Sequence, residues 1–163
     1  MALPYQLATH EAPVPGIGDE PFFEPAKQGR LLYKSCEDCG RPHYYPRALC
    51  PHCLSARTQW REATGGGEIY SFSITRRAGP VPYAIAYVRL DEGITMLTNI
   101  VDCDLETIRI GQRVRLVYKP TNGEIPIACF APAEDAADPA AQAAHMSAAG
   151  RADQGKPNHG APR

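Results

Sequence analysis

The sequence predicts a mainly β protein, in which a short helix and a metal-pinned ribbon precede a five-stranded barrel. Three observations carry this reading. Two Cys-x-x-Cys pairs, Cys36/Cys39 and Cys50/Cys53, stand ten residues apart. Between residues 68 and 132 five apolar runs of strand length are separated by turn residues. From residue 133 onward the chain turns Ala-, Gly- and Pro-rich and almost without large apolar side chains. We therefore expect four regions: an extended arm over 1–18, helix plus ribbon over 19–56, a barrel over 57–132 and a disordered tail over 133–163.

The arm holds Pro4, Pro13, Pro15, Gly16 and Gly18 and shows no periodicity. It reads as a loose terminus. Asp19-Glu20-Pro21 then supplies helix-start signals, and Gly29 a stop. Pro25 removes a helical hydrogen bond, so the helix is expected to begin only near Glu24. Phe22 and Phe23 need an apolar surface, either the ribbon or a partner.

Arg30–Ser35 reads as the first ribbon strand, leading into Cys36. A tetrahedral metal needs four ligands, with sulfur about 2.3 Å away. Each Cys-x-x-Cys turn presents two sulfurs, and Gly40 suits the left-handed backbone that follows the first pair. Cys36, Cys39, Cys50 and Cys53 are thus the expected ligands of a structural zinc ion. Iron is the alternative, because the same paired knuckles occur in rubredoxins. A closed four-sulfur shell leaves no position for substrate, so the ion is not expected to be catalytic. His43 and His52 lie beside the ligands and read as partly exposed histidines. Trp60, the only tryptophan, is expected where the ribbon meets the barrel.

Gly65-Gly66-Gly67 precedes a strand rather than a helix. It reads as a flexible turn and not as a phosphate cradle. Tyr70, Phe72 and Ile74 then alternate with serines, the period of a half-buried strand. Further strands are expected over Tyr83–Leu90, Ile94–Val101, Gln112–Lys119 and Ile125–Ala131. Gly79–Pro82, Asp91-Glu92-Gly93 and Asn122-Gly123 supply turns. Five strands in so short a span close most economically into an OB-fold barrel, with an SH3-like barrel as the neighbour. Cys103 and Cys129 sit inside apolar runs and read as small buried hydrophobes.

Composition removes several function classes. The net charge is −1, and barrel cations and anions nearly balance, so a basic groove for single-stranded nucleic acid is not expected. No apolar run reaches the ~18 residues of a membrane helix. Six cysteines with no secretory leader suit a reducing cytoplasm. No Ser/His/Asp or Cys/His constellation is legible. Asp91-Glu92 reads as a solvated turn, and Asp102/Asp104 as a strand end able to meet a ligand. Arg76/Arg77 and Arg113/Arg115 are the candidate phosphate contacts, since guanidinium groups suit forked binding.

The ordered set Gly29-Arg30-Leu31, Cys36-x-x-Cys39-Gly40, Tyr45-Pro46-Arg47, Cys50-Pro51-x-Cys53, Trp60-x-Glu62, Gly65-x-Gly67-x-Ile69-Tyr70-Ser71-Phe72, Pro82-Tyr83, Thr98-Asn99-Ile100-Val101-Asp102 and Ile110-Gly111 resembles a known family. This is the family of rubredoxin-like zinc-ribbon plus OB-fold proteins that accompany acyl-CoA enzymes. The resemblance spans roughly residues 20–132. It implies a non-catalytic accessory subunit, inactive alone, in a hetero-oligomer with a thiolase-superfamily partner: a thiolase, a hydroxymethylglutaryl-CoA synthase-type enzyme or an aldolase. The partner holds the reactive groups. This chain helps form the passage for a CoA thioester, with Phe22, Phe23, Arg76, Arg77, Arg113 and Arg115 as candidate CoA or partner contacts. The alternatives carried beside it are a single-stranded nucleic-acid binder and a rubredoxin-type iron electron carrier.

Overall fold

The computed structural model describes residues 10–16, 19–77 and 81–133. The start of the arm, the Gly79-Pro80 turn and the Ala-rich tail from residue 134 lie outside the described residues. Helix α1 covers Glu20–Ala26. A three-stranded ribbon sheet follows, built from β1 (Leu32–Cys36), β2 (Pro42–His43) and β3 (Thr58–Glu62) in the order β2-β1-β3. Strands β4 (Gly66–Thr75), β5 (Tyr83–Leu90), β6 (Thr95–Ile100), β7 (Arg113–Lys119) and β8 (Ile127–Pro132) close a barrel in the order β4-β5-β6-β8-β7.

The barrel is held by antiparallel pairs except where β6 meets β8 in parallel through Ile100 and Phe130. Closure through β4 and β7 leaves no free edge to template aggregation. Inward positions alternate as a barrel requires: Ala84, Ala86, Val88 and Leu90 of β5 are buried, while Ile85, Tyr87 and Arg89 face out. Phe130, Ile69, Ile100 and Val114 fill the centre. Leu31, Leu32 and Phe22 join the same apolar cluster, so ribbon, helix and barrel share one core.

Four expectations change. The helix starts at Glu20, not near Glu24, and carries Pro25 inside it. It is so short that the first turn is tied instead to Asp19, whose carbonyl accepts from Phe22 and Phe23 (2.9 and 3.3 Å). Gly66 and Gly67 are strand residues at the barrel seam, not a flexible turn. A Cβ on Gly67 would lie 2.7 Å from the Arg89 carbonyl oxygen and 2.8 Å from Val88, so only glycine lets β4 approach β5 this closely. Asn122-Gly123 does not form a tight two-residue hairpin, because Lys119 pairs with Ile127 across a longer loop. Asn122 instead docks the arm: its amide donates to the His10 carbonyl (2.9 Å), and its side-chain oxygen accepts from Ala12 (2.8 Å). The arm is therefore tied to the barrel at His10 and Ala12.

Strand β3 has no signal in the sequence. It pairs along its length with β1, Trp60 opposite Lys34, and so lies in the ribbon sheet. Its polar residues conceal it, since only one face of a three-stranded ribbon meets the core.

Candidate metal centre and its surroundings

Cys36 ends β1, Cys39 follows one turn later, and Cys50 and Cys53 sit on a second turn. The two turns have the same backbone wiring. Cys36 N–H donates to the Arg41 carbonyl (3.1 Å), and Gly40 N–H donates back to Cys36 (2.9 Å). In the second turn Cys50 donates to Ser55 (2.9 Å) and Leu54 to Cys50 (2.9 Å). Gly40 (φ +70°) and Leu54 (φ +62°) occupy the equivalent left-handed position after each pair. Leucine has no steric licence there, so the second knuckle carries local strain that the first avoids.

The four sulfurs lie within 4.8 Å of one another. Cys36–Cys53 is 3.6 Å and Cys39–Cys50 is 3.7 Å, too long for disulfides. Sulfurs about 2.3 Å from one tetrahedral ion would stand about 3.8 Å apart, so the cage fits a zinc-sized ion. Backbone N–H groups reinforce the fit. His52 N–H donates to the Cys50 sulfur (3.4 Å), and the backbone of Cys39, first, and of Asp38 lowers the Cys36 thiol to about 7. Cys36 and Cys50 are buried, while Cys39 and Cys53 face solvent. Asp38 locks the two knuckles together by accepting from Ser55 and pairing with Arg57. That guanidinium holds the Asp38 carboxyl below the usual range. Such a site would hold an ion on all four sides and contribute to folding, with no position for a reacting molecule.

His43 departs from expectation. It is buried, and neither ring nitrogen has a protein partner. Burial, and after it the neighbouring charges of His52, Lys34 and Arg47, push its pKa below the ordinary value, opposed by the nearby Arg47 backbone, which lies outside hydrogen-bond geometry. His52 is exposed as expected. Trp60 stacks against Phe22 with ring centroids 6.4 Å apart, and Lys34 lies 4.8 Å over its ring. It packs on the shared core, at the junction of ribbon and barrel.

The remaining candidate contacts are dispersed. Phe22 is buried among Phe23, Tyr44, Tyr45 and Trp60, so its ring packs on the protein's own ribbon. Phe23 is half-buried beside it. Arg76 pairs with Glu106 at 2.5 Å, and Arg77 is exposed next to it. Arg113 and Arg115 do share the outer face of β7. Arg113, however, grips both oxygens of Asp91 (2.8 and 3.0 Å). The two pairs flank opposite ends of β4, since Gly66 pairs with Arg115 and Arg76 follows Thr75. Nine residues of extended chain span at most about 30 Å, so the two arginine pairs stand at separate ends of the strand.

The carboxylates of the Asp91-Glu92 turn, expected in solvent, and of the Asp102/Asp104 strand end, expected to be able to meet a ligand, all have partners within the protein. Besides Asp91, Glu92 accepts from the Thr64 amide and hydroxyl (2.7 and 2.9 Å). Asp102 holds Lys119 through both oxygens (2.6 and 2.7 Å), and Asp104 caps a short 3-10 turn over Leu105–Thr107. Cys103 and Cys129 are buried, which raises their thiols to about 11 and about 12. They are packing groups and not nucleophiles. Among the described residues no helix is long and apolar enough to cross a membrane.

Comparison with known proteins agrees with this architecture. Residues 23–59 match the model of the ChsH2 rubredoxin-like zinc ribbon domain, and residues 60–119 that of the ChsH2 C-terminal OB-fold domain. A chain of the solved Ltp2-ChsH2(DUF35) aldolase is 33% identical, with a TM-score of 0.66 over 75% of this chain and 99% of that one. A DUF35 domain-containing scaffold protein of Methanothermobacter thermautotrophicus is 32% identical over 58% of this chain and 75% of its own length. A probable enoyl-CoA hydratase alpha subunit of Thermomonospora curvata is 36% identical over 69% of this chain, which spans only 36% of that relative. The protein belongs to the ChsH2-type DUF35 family, whose members join a rubredoxin-like zinc ribbon to an OB-fold domain.

Proposed function

We propose that this chain is a non-catalytic accessory subunit of an acyl-CoA-processing complex, built around a structural zinc ion. Its partner is a thiolase-superfamily enzyme that carries the reacting groups, and the chain contributes a wall of the acyl-CoA passage. The observation that carries this reading is the commitment to structure of the cysteines and of four carboxylates among the described residues. Four cysteines form one closed cage, two are buried, and Asp91, Glu92, Asp102 and Asp104 are tied to named protein groups. A rigid, unreactive body of this kind suits support of another protein's site. The likeness to a chain of the Ltp2-ChsH2(DUF35) aldolase supports the same division of labour.

The test is reconstitution. Purified with a thiolase-like partner, the chain should form a stable hetero-oligomer that converts a CoA thioester faster than the partner alone. Turnover of a thioester by the isolated chain would overturn the proposal, as would a partner that is fully active without it. Within the same assay, Arg76→Ala with Arg77→Ala should raise KM for the acyl-CoA. Unchanged kinetics would remove these arginines from any phosphate contact.

A further inference from the structure

A cleft of about 390 Å³ opens where α1, the ribbon and the barrel meet. Its volume lies in the range of small-molecule sites, about 300–1,000 Å³. Phe23, Met96 and Leu97 supply apolar walls, and Tyr44, Tyr45 and Tyr118 supply the phenols. None of the residues lining the cleft is ionic. It therefore suits the uncharged end of a ligand and has nothing to offer a phosphate.

The three phenols are not equivalent. Tyr45 donates to Asp19 at 3.3 Å, and Tyr118 donates to the Arg30 carbonyl at 3.0 Å. Their protons are committed to the protein. The Tyr44 hydroxyl has no protein acceptor among the described residues, although burial, then the neighbouring Tyr45, raises its pKa to about 12. It stays protonated across the physiological range. It also lies near enough to Tyr118 to raise that phenol further. A hydroxyl on the cleft wall with no protein acceptor is free to donate to a ligand that brings one.

The geometry points to a binding subsite for the neutral acyl-thioester end of a CoA ester, with the acyl group against Phe23, Met96 and Leu97 and the Tyr44 hydroxyl donating to a carbonyl oxygen. This rests on the accessory-subunit reading and adds to it a place and a hydrogen-bond donor. Tyr44 is a binding residue here, and no bond of the ligand is made or broken.

The probe is S-octanoyl-N-acetylcysteamine, a thioester without phosphates, titrated into the full zinc-loaded chain. Binding is followed by Trp60 fluorescence and by amide chemical shifts. Saturable binding is expected, with shifts at Tyr44, Leu97 and Tyr118. Tyr44→Phe keeps the ring and removes only the donor, and should weaken binding about tenfold, as loss of one hydrogen bond does. Tyr87→Phe, on the exposed barrel face, should leave it unchanged. Absence of binding, binding that Tyr44→Phe does not alter, or shifts confined to another face would overturn the subsite. If the Tyr44→Phe chain still supports its partner while thioester binding is unchanged, only the subsite fails. If the wild-type chain binds the thioester but joins no thiolase-like partner, the accessory-subunit reading fails and the subsite stands.

Discussion

Phe22 and Trp60 lie nearly parallel, their ring planes 23° apart and their centroids 6.4 Å apart. One ring comes from α1 and the other from β3, and both pack on the cluster that fills the barrel. The contact is the point at which three parts of the chain become one body. Phe22→Ala should therefore destabilise by about 3–5 kcal/mol, the usual cost of emptying a buried phenylalanine site. The change should appear as a lowered melting midpoint with a red shift of Trp60 emission. A variant melting like the wild type would show that the ribbon is held without this ring.

Cys36→Ser or Cys50→Ser should release the bound ion and unfold the ribbon, because metal binding and ribbon folding are one equilibrium. Metal analysis of the purified variants checks this. Full metal occupancy in either variant would refute the ligand set. The same analysis on the wild type separates zinc from iron, and a colourless zinc protein removes the electron-carrier alternative.

Leu54 repeats the role of Gly40 with a side chain that opposes it. Its side chain is 74% exposed, so little packing is lost when it is removed. Leu54→Gly should relieve left-handed strain of about 1 kcal/mol, partly offset by the greater unfolded-state freedom of glycine. Resistance of the ribbon to a chelator should rise. Faster metal loss would mean that the exposed leucine stabilises the knuckle by a contact made elsewhere.

At Gly67 the expected sign is opposite. Gly67→Ala would drive a methyl against the Arg89 backbone. Overpacking of this kind costs about 1–3 kcal/mol. Denaturant melts should show this loss, and an unchanged midpoint would mean that the barrel seam can open to admit a methyl group.

His43 should make the ribbon acid-sensitive. Burial lowers its folded pKa below the ordinary 6.5 against an opposing pull from the Arg47 backbone, and the facing groups His52, Lys34 and Arg47 act in the same direction as burial. The unfolded chain then takes up this proton before the folded chain does. Stability from neutral His43 is fully present above 6.5 and is lost as pH falls below it. An imidazole NMR titration should place its midpoint below the ordinary 6.5. A midpoint at or above 6.5 would show that the nitrogens find an acceptor.

The spacing of Cys36, Cys39, Cys50 and Cys53 announced the metal cage because a tetrahedral ion imposes a local geometry that two short turns can meet. The alternation of Val114 to Tyr118 announced a strand because a barrel has an inside and an outside, whereas Tyr70, expected on the half-buried face with Phe72 and Ile74, is exposed where the pairing register shifts between Ile69 and Ser71. Those features depend on neighbours in the chain, so they were legible in it. The tertiary structure alone decided that β3 belongs with the ribbon, that Gly66 and Gly67 are a close-packed seam, and that Asp91 is held by Arg113. It also decided that Phe22 is buried in the shared core while Phe23 is only half-buried beside a cleft with three tyrosines. Each of these is a contact between residues distant in sequence, whose partner is chosen by closure of the barrel and not by local pattern.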